Sequence, residues 1–279
     1  MNLIIILISL ILDRMVSRTK HFNSQWYARR YADWLGERKL FADNTDGFTL
    51  TLAVLAPVLL TYLLSTSLPG FLYFLLSCFI VFIALRNAEV SHQYHAYRDA
   101  VTRNDTEACY LLAGNLLPDT PANNPDAINR AVGRELAFIN FRYFAAVIIW
   151  FVAFGPTGVV LYALVRDWNS FAKRTNSLPV APLHTCLEWL DFVPARLTTA
   201  IYLFIGDFTR ALPIWLKYLT NVSVSSRHVI THVATKAATD SELTGKLKPA
   251  PVRYVDLAKR TTKTLIVVVA FLTIIGTLN

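Results

Sequence analysis

The chain has 279 residues, 54% of them hydrophobic and only 16% charged, and its mean hydropathy is +0.40. A soluble domain carries roughly 25% charged residues, so this composition excludes an ordinary soluble globule and points to a lipid bilayer. Basic loops facing an anionic leaflet account for the net charge of +8; no recognition motif accompanies it, so nucleic acid is not an expected partner.

In chain order, the apolar residues 3–12 lack a preceding positive charge and a small-residue cleavage site, so they do not read as a cleaved signal. At about 1.5 Å per residue they are also short against a hydrocarbon core of about 30 Å, and an anchor buried among other helices, or one that only partly spans, fits better. Residues 13–47 are polar, with Trp26, Tyr27, Tyr31 and Trp34 interleaved with Arg29, Arg30, Arg38 and Lys39. That pattern suits an amphipathic helix at the headgroup level. Two uncharged segments follow, 48–68 and 70–85, joined by a turn without Lys or Arg that belongs outside, and Arg86 returns the chain to the inside.

The polar region 86–142 opens as a helix whose spacing puts Glu89, His92, His95, Asp99 and Arg103 on one face. His and Asp so spaced could hold a divalent metal, but a third strong ligand is not evident, and a solvated or ion-paired face fits the same residues. Asn104-Asp105 continues this helix, and Asp126 is the expected N-cap of the next one. That helix carries Arg130, Arg134, Glu135, Asn140 and Arg142 to the mouth of the apolar segment 143–165. Charged groups there either pair and serve a site, or mark the membrane edge and bind lipid phosphate.

The segment 143–165 is broken by Gly155-Pro156-Thr157-Gly158. A single crossing would leave residues 166–263, with 14 Lys or Arg, outside, against the positive-inside tendency. A hairpin or re-entrant loop keeps both polar regions inside and is the favoured reading. Within 166–263, residues 186–192 read as an amphipathic helix closed by Pro194, 198–216 as an apolar helix with Asp207 and Arg210 paired on its face, and 223–251 as a loop. Lys259, Arg260 and Lys263 flank a final span, 264–278. Cys78, Cys109 and Cys186 have no C-x-x-C spacing and read as reduced and structural, with no zinc site. No phosphate-binding loop, dinucleotide fingerprint, zinc-protease motif or nucleophile elbow is present. The fold class is therefore all-α: one polytopic, membrane-integrated domain over 1–279 with a broken or re-entrant central helix and amphipathic cytoplasmic helices.

Several segments resemble the AmpE family of bacterial inner-membrane proteins: Tyr94-His95-Ala96-Tyr97, Arg103-Asn104-Asp105, Ile139-Asn140-Phe141-Arg142-Tyr143, Leu190-Asp191-Phe192-Val193-Pro194-Ala195-Arg196-Leu197, Ala211-Leu212-Pro213-Ile214-Trp215, and Ala258-Lys259 leading into a valine-rich final helix. The resemblance implies a multi-pass inner (cytoplasmic) membrane protein linked to β-lactamase regulation and cell-wall recycling. That family is in turn similar to the CobD/CbiB family, whose enzymes make adenosylcobinamide phosphate with ATP and magnesium. Its Gly-Arg-Asp-Thr block corresponds to Leu117-Pro118-Asp119-Thr120. Its acidic block corresponds to 135–143, keeping Glu135 and Asn140 but placing Ile139 and Tyr143 at acidic positions. Its Trp-Ile-Pro-Ala-Arg-Leu block is nearly whole at 192–197, and its Asn-Thr-Leu-Asp-Ser block becomes Arg166-Asp167-Trp168-Asn169-Ser170.

Magnesium requires hard oxygen ligands, and three lost acids with Arg142 and Arg166 added favour an anion over a metal. The expected site residues are Asp119, Glu135, Asn140, Arg142 and Arg196, with the arginines on a phosphate or carboxylate and Glu135 and Asn140 orienting them. The expected ligand is a nucleotide or muropeptide, no metal is assigned, and a protein partner is unidentified. The alternative is a CobD/CbiB-like ligase using ATP and magnesium, and a transporter built on the broken helix ranks below both because the apolar segments carry no polar lining.

Overall fold

The computed structural model describes residues 1–16, 22–38, 47–103, 105–117, 124–175, 178–238 and 250–276, and these form helices with no strand among them. The helices are α1 Asn2–Met15, α2 Ser24–Glu37, α3 Gly47–Ser67, α4 Gly70–Leu85, α5 Ala88–Thr102, α6 Thr106–Leu116, α7 Pro125–Asn140, a π-helical turn Phe141–Ala145, α8 Ala146–Thr175, α9 Val180–Ile205, α10 Phe208–Leu219, α11 Ser226–Ala237 and α12 Ala250–Ile274. They fall into two compact units. The first takes Met1–Arg86, Ala146–Asp191 and Val268–Asn279; the second takes Asn87–Ala145 and Phe192–Val267.

The first unit is built on α3 and α8. α3 has 21 residues and a mean hydropathy of 2.0 over its most apolar window, and at 1.5 Å per residue it extends about 31 Å, enough to cross hydrocarbon. Leu52, Leu55, Leu59, Leu60 and Leu63 on it are exposed, a face suited to lipid. Its buried residues Leu50 and Ala53 pack with Leu164, Trp168 and Ala172 of α8 and with Ala28, Ala32 and Leu35 of α2.

Two prolines inside helices each free a carbonyl four residues earlier, because proline has no N–H. Pro57 in α3 frees Ala53, whose oxygen accepts from the Tyr31 hydroxyl at 3.0 Å. Pro194 in α9 frees Leu190, whose oxygen accepts from the Trp150 indole N–H at 3.3 Å. An unpaired carbonyl at membrane depth costs several kcal/mol, roughly, and here an aromatic donor from another helix supplies the missing bond.

The stretch Pro125–Thr175 also passes the test of length and hydropathy for a span, but it does not run straight. Gly155 sits at φ 61 and ψ −153, a backbone region essentially reserved for glycine. The Trp150 and Tyr162 rings stack with centroids 6.5 Å apart, whereas twelve residues of continuous helix would separate them by about 18 Å. A Cβ on Gly158 would lie 2.7 Å from the Trp150 carbonyl oxygen. The chain therefore reverses at Gly155, and the Gly155-Pro156-Thr157-Gly158 break makes the hairpin that the charge distribution called for. Each apolar arm is about 15–18 Å long, short of a full crossing.

Buried polar groups cross-link the first unit. Arg166 and Asp167, each with a side chain 1% exposed, pair at 2.9 Å. Arg166 also donates to the Ala84 carbonyl at 3.2 Å and the Ser24 hydroxyl at 2.9 Å, joining α8 to α4 and α2. The Tyr162 hydroxyl donates to Asp191 at 2.7 Å.

In the second unit, Tyr97, Ala113, Leu116, Ile128, Val132 and Leu136 form the core of α5, α6 and α7. Several local expectations are corrected here. Asp105 does not continue α5; its side chain accepts from the Ala108 N–H and starts α6. The N-cap of α7 is Asn124, not Asp126, with Pro125 at the first helical position, where its missing N–H is harmless. Pro194 does not close a helix, since α9 runs through it. The helix expected over 198–216 is interrupted, because Asp207 caps α10 by accepting from the Arg210 N–H at 3.0 Å. The loop expected over 223–251 contains α11, capped by Ser225 and burying Val229, Ile230, Val233, Ala234 and Ala237. The apolar segment expected over 264–278 forms the end of α12, whose helix begins at Ala250 and ends at Ile274; residues 277–279 lie outside the described residues. Cys78, Cys109 and Cys186 are free thiols.

Candidate anion-binding site in the second unit

On α7, Glu135 and Phe138 are three residues apart and Arg142 lies four further on, so all three share one helix face. Arg142 falls inside the π-helical turn Phe141–Ala145, a distortion frequent at functional positions. The Arg142 guanidinium lies 4.4 Å from the centre of the Phe138 ring. From α11, the Arg227 guanidinium also lies 4.4 Å from that ring, and it forms an ion pair with Glu135. One phenyl ring thus lies beside two guanidinium groups, and one of them is paired with the Glu135 carboxylate.

Glu135 precedes the apolar part of its helix. Burial pushes its carboxyl above the ordinary carboxylate value, and Arg227, by charge and hydrogen bond, and then Arg142 oppose that shift. The pair is asymmetric in exposure, with the Glu135 side chain at 11% and that of Arg227 at 43%. The solvent-facing member of the pair is therefore the guanidinium, with the carboxylate behind it.

The other expected site residues have their own partners. Asn140 accepts from the Thr262 hydroxyl of α12 at 3.5 Å. Arg196 is buried, donates to the Asn221 carbonyl at 2.8 Å and to the Phe192 carbonyl at 3.4 Å, and lies 3.9 Å from the Phe192 ring centre. Its carbonyl accepts from the Trp215 indole at 3.2 Å, so Arg196 ties α9 to α10 and to the turn after it. Asp119 lies outside the described residues, as does the Glu89 side chain of the face expected on α5. Arg166 belongs to the first unit, where it spends its guanidinium on Asp167, Ser24 and Ala84.

Sequence reasoning missed Arg227 and Phe138. The signal for Arg227 was present: Ser225 is a favourable N-cap, and apolar residues recur after it at helical spacing. Among the described residues no group of three or more His, Cys, Asp or Glu side chains could hold a metal ion. Glu135 is committed to arginine, and this donor set suits an anion better than magnesium.

The chain matches, over residues 1–279, the family model described as regulatory signalling modulator protein AmpE. It is 31% identical over 249 residues to protein AmpE of Shigella flexneri, covering 83% of this chain and 86% of that protein. It is 30% identical over 169 residues to the cobalamin biosynthesis protein CobD of Stutzerimonas stutzeri (strain A1501), covering 59% of this chain and 55% of that protein. No solved structure matches.

Proposed function

Because this chain belongs to the AmpE family of regulatory signalling modulator proteins, we propose that it acts in the inner membrane as a regulator linked to β-lactamase induction and cell-wall recycling, by binding an anionic ligand. The observation that supports this reading is the pairing of Arg142 and Arg227 around Phe138, each guanidinium 4.4 Å from the ring centre. Guanidinium forks match the carboxylates of a muropeptide or the phosphates of a nucleotide. A bound anion competes with Glu135 for Arg227, and the exchange changes the tie between α7 and α11. Asn140 and Arg196 fix the surrounding helices, and Asp119 completes the proposed set.

A thermal-shift titration of the detergent-purified protein with anhydro-muropeptide and with ATP, with and without magnesium, tests the reading, since a ligand specific for the folded state stabilises by mass action. A dose-dependent rise in Tm that Arg142→Ala abolishes supports it. A rise that Arg142→Ala and Arg227→Ala leave intact removes the site.

The similarity to CobD keeps a second reading open: an amide-forming ligase with an altered substrate. It requires nucleotide turnover that depends on magnesium and is lost in Asp119→Asn.

A further inference from the structure

α11 presents two imidazoles toward α10. His228 and His232 are four residues apart, so they share one face of the helix, and their ring centres are 5.4 Å apart. From α10, the buried Tyr218 reaches both of them. Its hydroxyl oxygen lies 3.1 Å from His228 Nε2 and 2.8 Å from His232 Nδ1. Two ring nitrogens on one helix and one oxygen on its neighbour thus converge.

The backbone around this point is fixed. The Ser225 hydroxyl accepts from the His228 N–H at 3.3 Å and starts the helix. Val229, Ile230 and Val233, interspersed with the histidines, are fully buried and hold the register of α11. His228 itself is exposed, which gives an ion a route from solvent.

Neutral imidazole is a favoured ligand for zinc, copper and nickel. In a tetrahedral zinc site, bonds of about 2.0–2.1 Å place neighbouring ligand atoms about 3.3 Å apart. Both nitrogen–oxygen separations lie within about 0.5 Å of that spacing, so a small outward turn of the rings admits an ion. Coordination then replaces the hydrogen bonds of Tyr218, whose oxygen becomes the third ligand as its proton passes to water. A water molecule takes the remaining position. Two nitrogens and a phenol oxygen are not a magnesium or calcium set, which is built from carboxylates and carbonyls. Lys217 and Lys236 bring positive charge near His232 and oppose any cation. The ion that best overcomes them is the one that bonds most strongly to nitrogen, and copper(II) leads that order.

We propose that His228, His232 and Tyr218 bind a divalent transition-metal ion, copper(II) ahead of zinc(II). The ion cross-links α10 to the first turns of α11. This site shares no residue with the anion site and does not depend on that reading.

The test uses the full chain in neutral detergent, with any affinity tag removed. It is titrated with copper(II) and with zinc(II) by calorimetry, and the copper form is read by electron paramagnetic resonance and absorption. Copper is expected to bind at one site per chain and more tightly than zinc, with coupling to two imidazole nitrogens and a phenolate-to-copper charge-transfer band. His228→Ala and His232→Ala are each expected to weaken copper binding by at least about ten-fold, since even a group behind a ligand is worth that much, and to leave one imidazole coupling. Tyr218→Phe is expected to weaken binding and remove the charge-transfer band. Lys217→Gln is expected to tighten binding by about two-fold, the scale of an exposed charge interaction. Copper binding that survives in His228→Ala/His232→Ala places the ion elsewhere and overturns the site, as does a wild-type chain that binds neither ion. If that double variant does not fold, the exposed His228→Ala alone is read for the ten-fold loss. An unchanged affinity and spectrum in Tyr218→Phe overturns the three-ligand set.

Discussion

Glu135 and Arg227 decide what the second unit can bind. Their pairing is half open to solvent, with side-chain exposures of 11% and 43%, so Glu135→Gln should cost about 1–2 kcal/mol, below the 3–5 kcal/mol typical of breaking a fully buried pair. The same substitution releases Arg227 and should raise affinity for an anion. Denaturant unfolding and ligand titration on one variant therefore move in opposite directions if Glu135 competes with the ligand, and together if it serves the ligand directly. A second residue-scale device lies between α10 and α11. The Tyr218 hydroxyl contacts His228 Nε2 at 3.1 Å and His232 Nδ1 at 2.8 Å. Burial, and then the charges of His228, Lys236 and Lys217, hold His232 below the ordinary imidazole value. As pH falls through about 6.5, the unfolded chain takes up this proton before the folded one, so stability declines until folded His232 is itself protonated. Tm should fall as pH drops through about 6.5, the unfolded value, and His232→Gln should flatten part of that slope.

Helices in the first unit depend on donors that no single helix contains. Tyr31 answers the carbonyl freed by Pro57, and Trp150 answers the one freed by Pro194. Tyr31→Phe should destabilise the protein by about 1 kcal/mol, a typical net value for one hydrogen bond. With Pro57→Ala, the Ala53 carbonyl regains a helical partner and the cost of Tyr31→Phe should largely disappear. A double-mutant cycle measures that coupling directly, and additive costs would mean that the hydroxyl does not serve the proline. The hairpin at Gly155 is held by the same kind of interaction between segments, with Trp150 stacked on Tyr162 across the turn.

For the molecule as a whole, the hairpin bears on which side of the membrane each polar region occupies. A chain that returns at Gly155 can keep 86–142 and 166–263 on one face, in line with their basic content. In a background with Cys78, Cys109 and Cys186 replaced by serine, His95→Cys and Lys217→Cys should both react with a membrane-impermeant maleimide from the cytoplasmic side only. Reaction from opposite sides would mean that α8 crosses the bilayer despite its reversal.

Composition and hydropathy were enough to determine a helical membrane protein, because burial in lipid forces every backbone group into helices when no barrel pattern is present. The break at Gly155-Pro156-Thr157-Gly158 was readable for a local reason, since two glycines and a proline disfavour a straight helix in any context. Helix caps were read less well: Asp126 was favoured over Asn124, although a proline at 125 marks the residue before it as the cap. Local pattern also misplaced α11, because the polarity of residues 223–251 outweighed a short apolar repeat within them. What only the tertiary structure decided were the partners of charged residues. Arg227 meets Glu135 from 92 positions along the chain, and Arg166 meets Ser24 from 142 positions away. A guanidinium accepts many partners equally well in one dimension, and only the packing of helices in three dimensions selects among them.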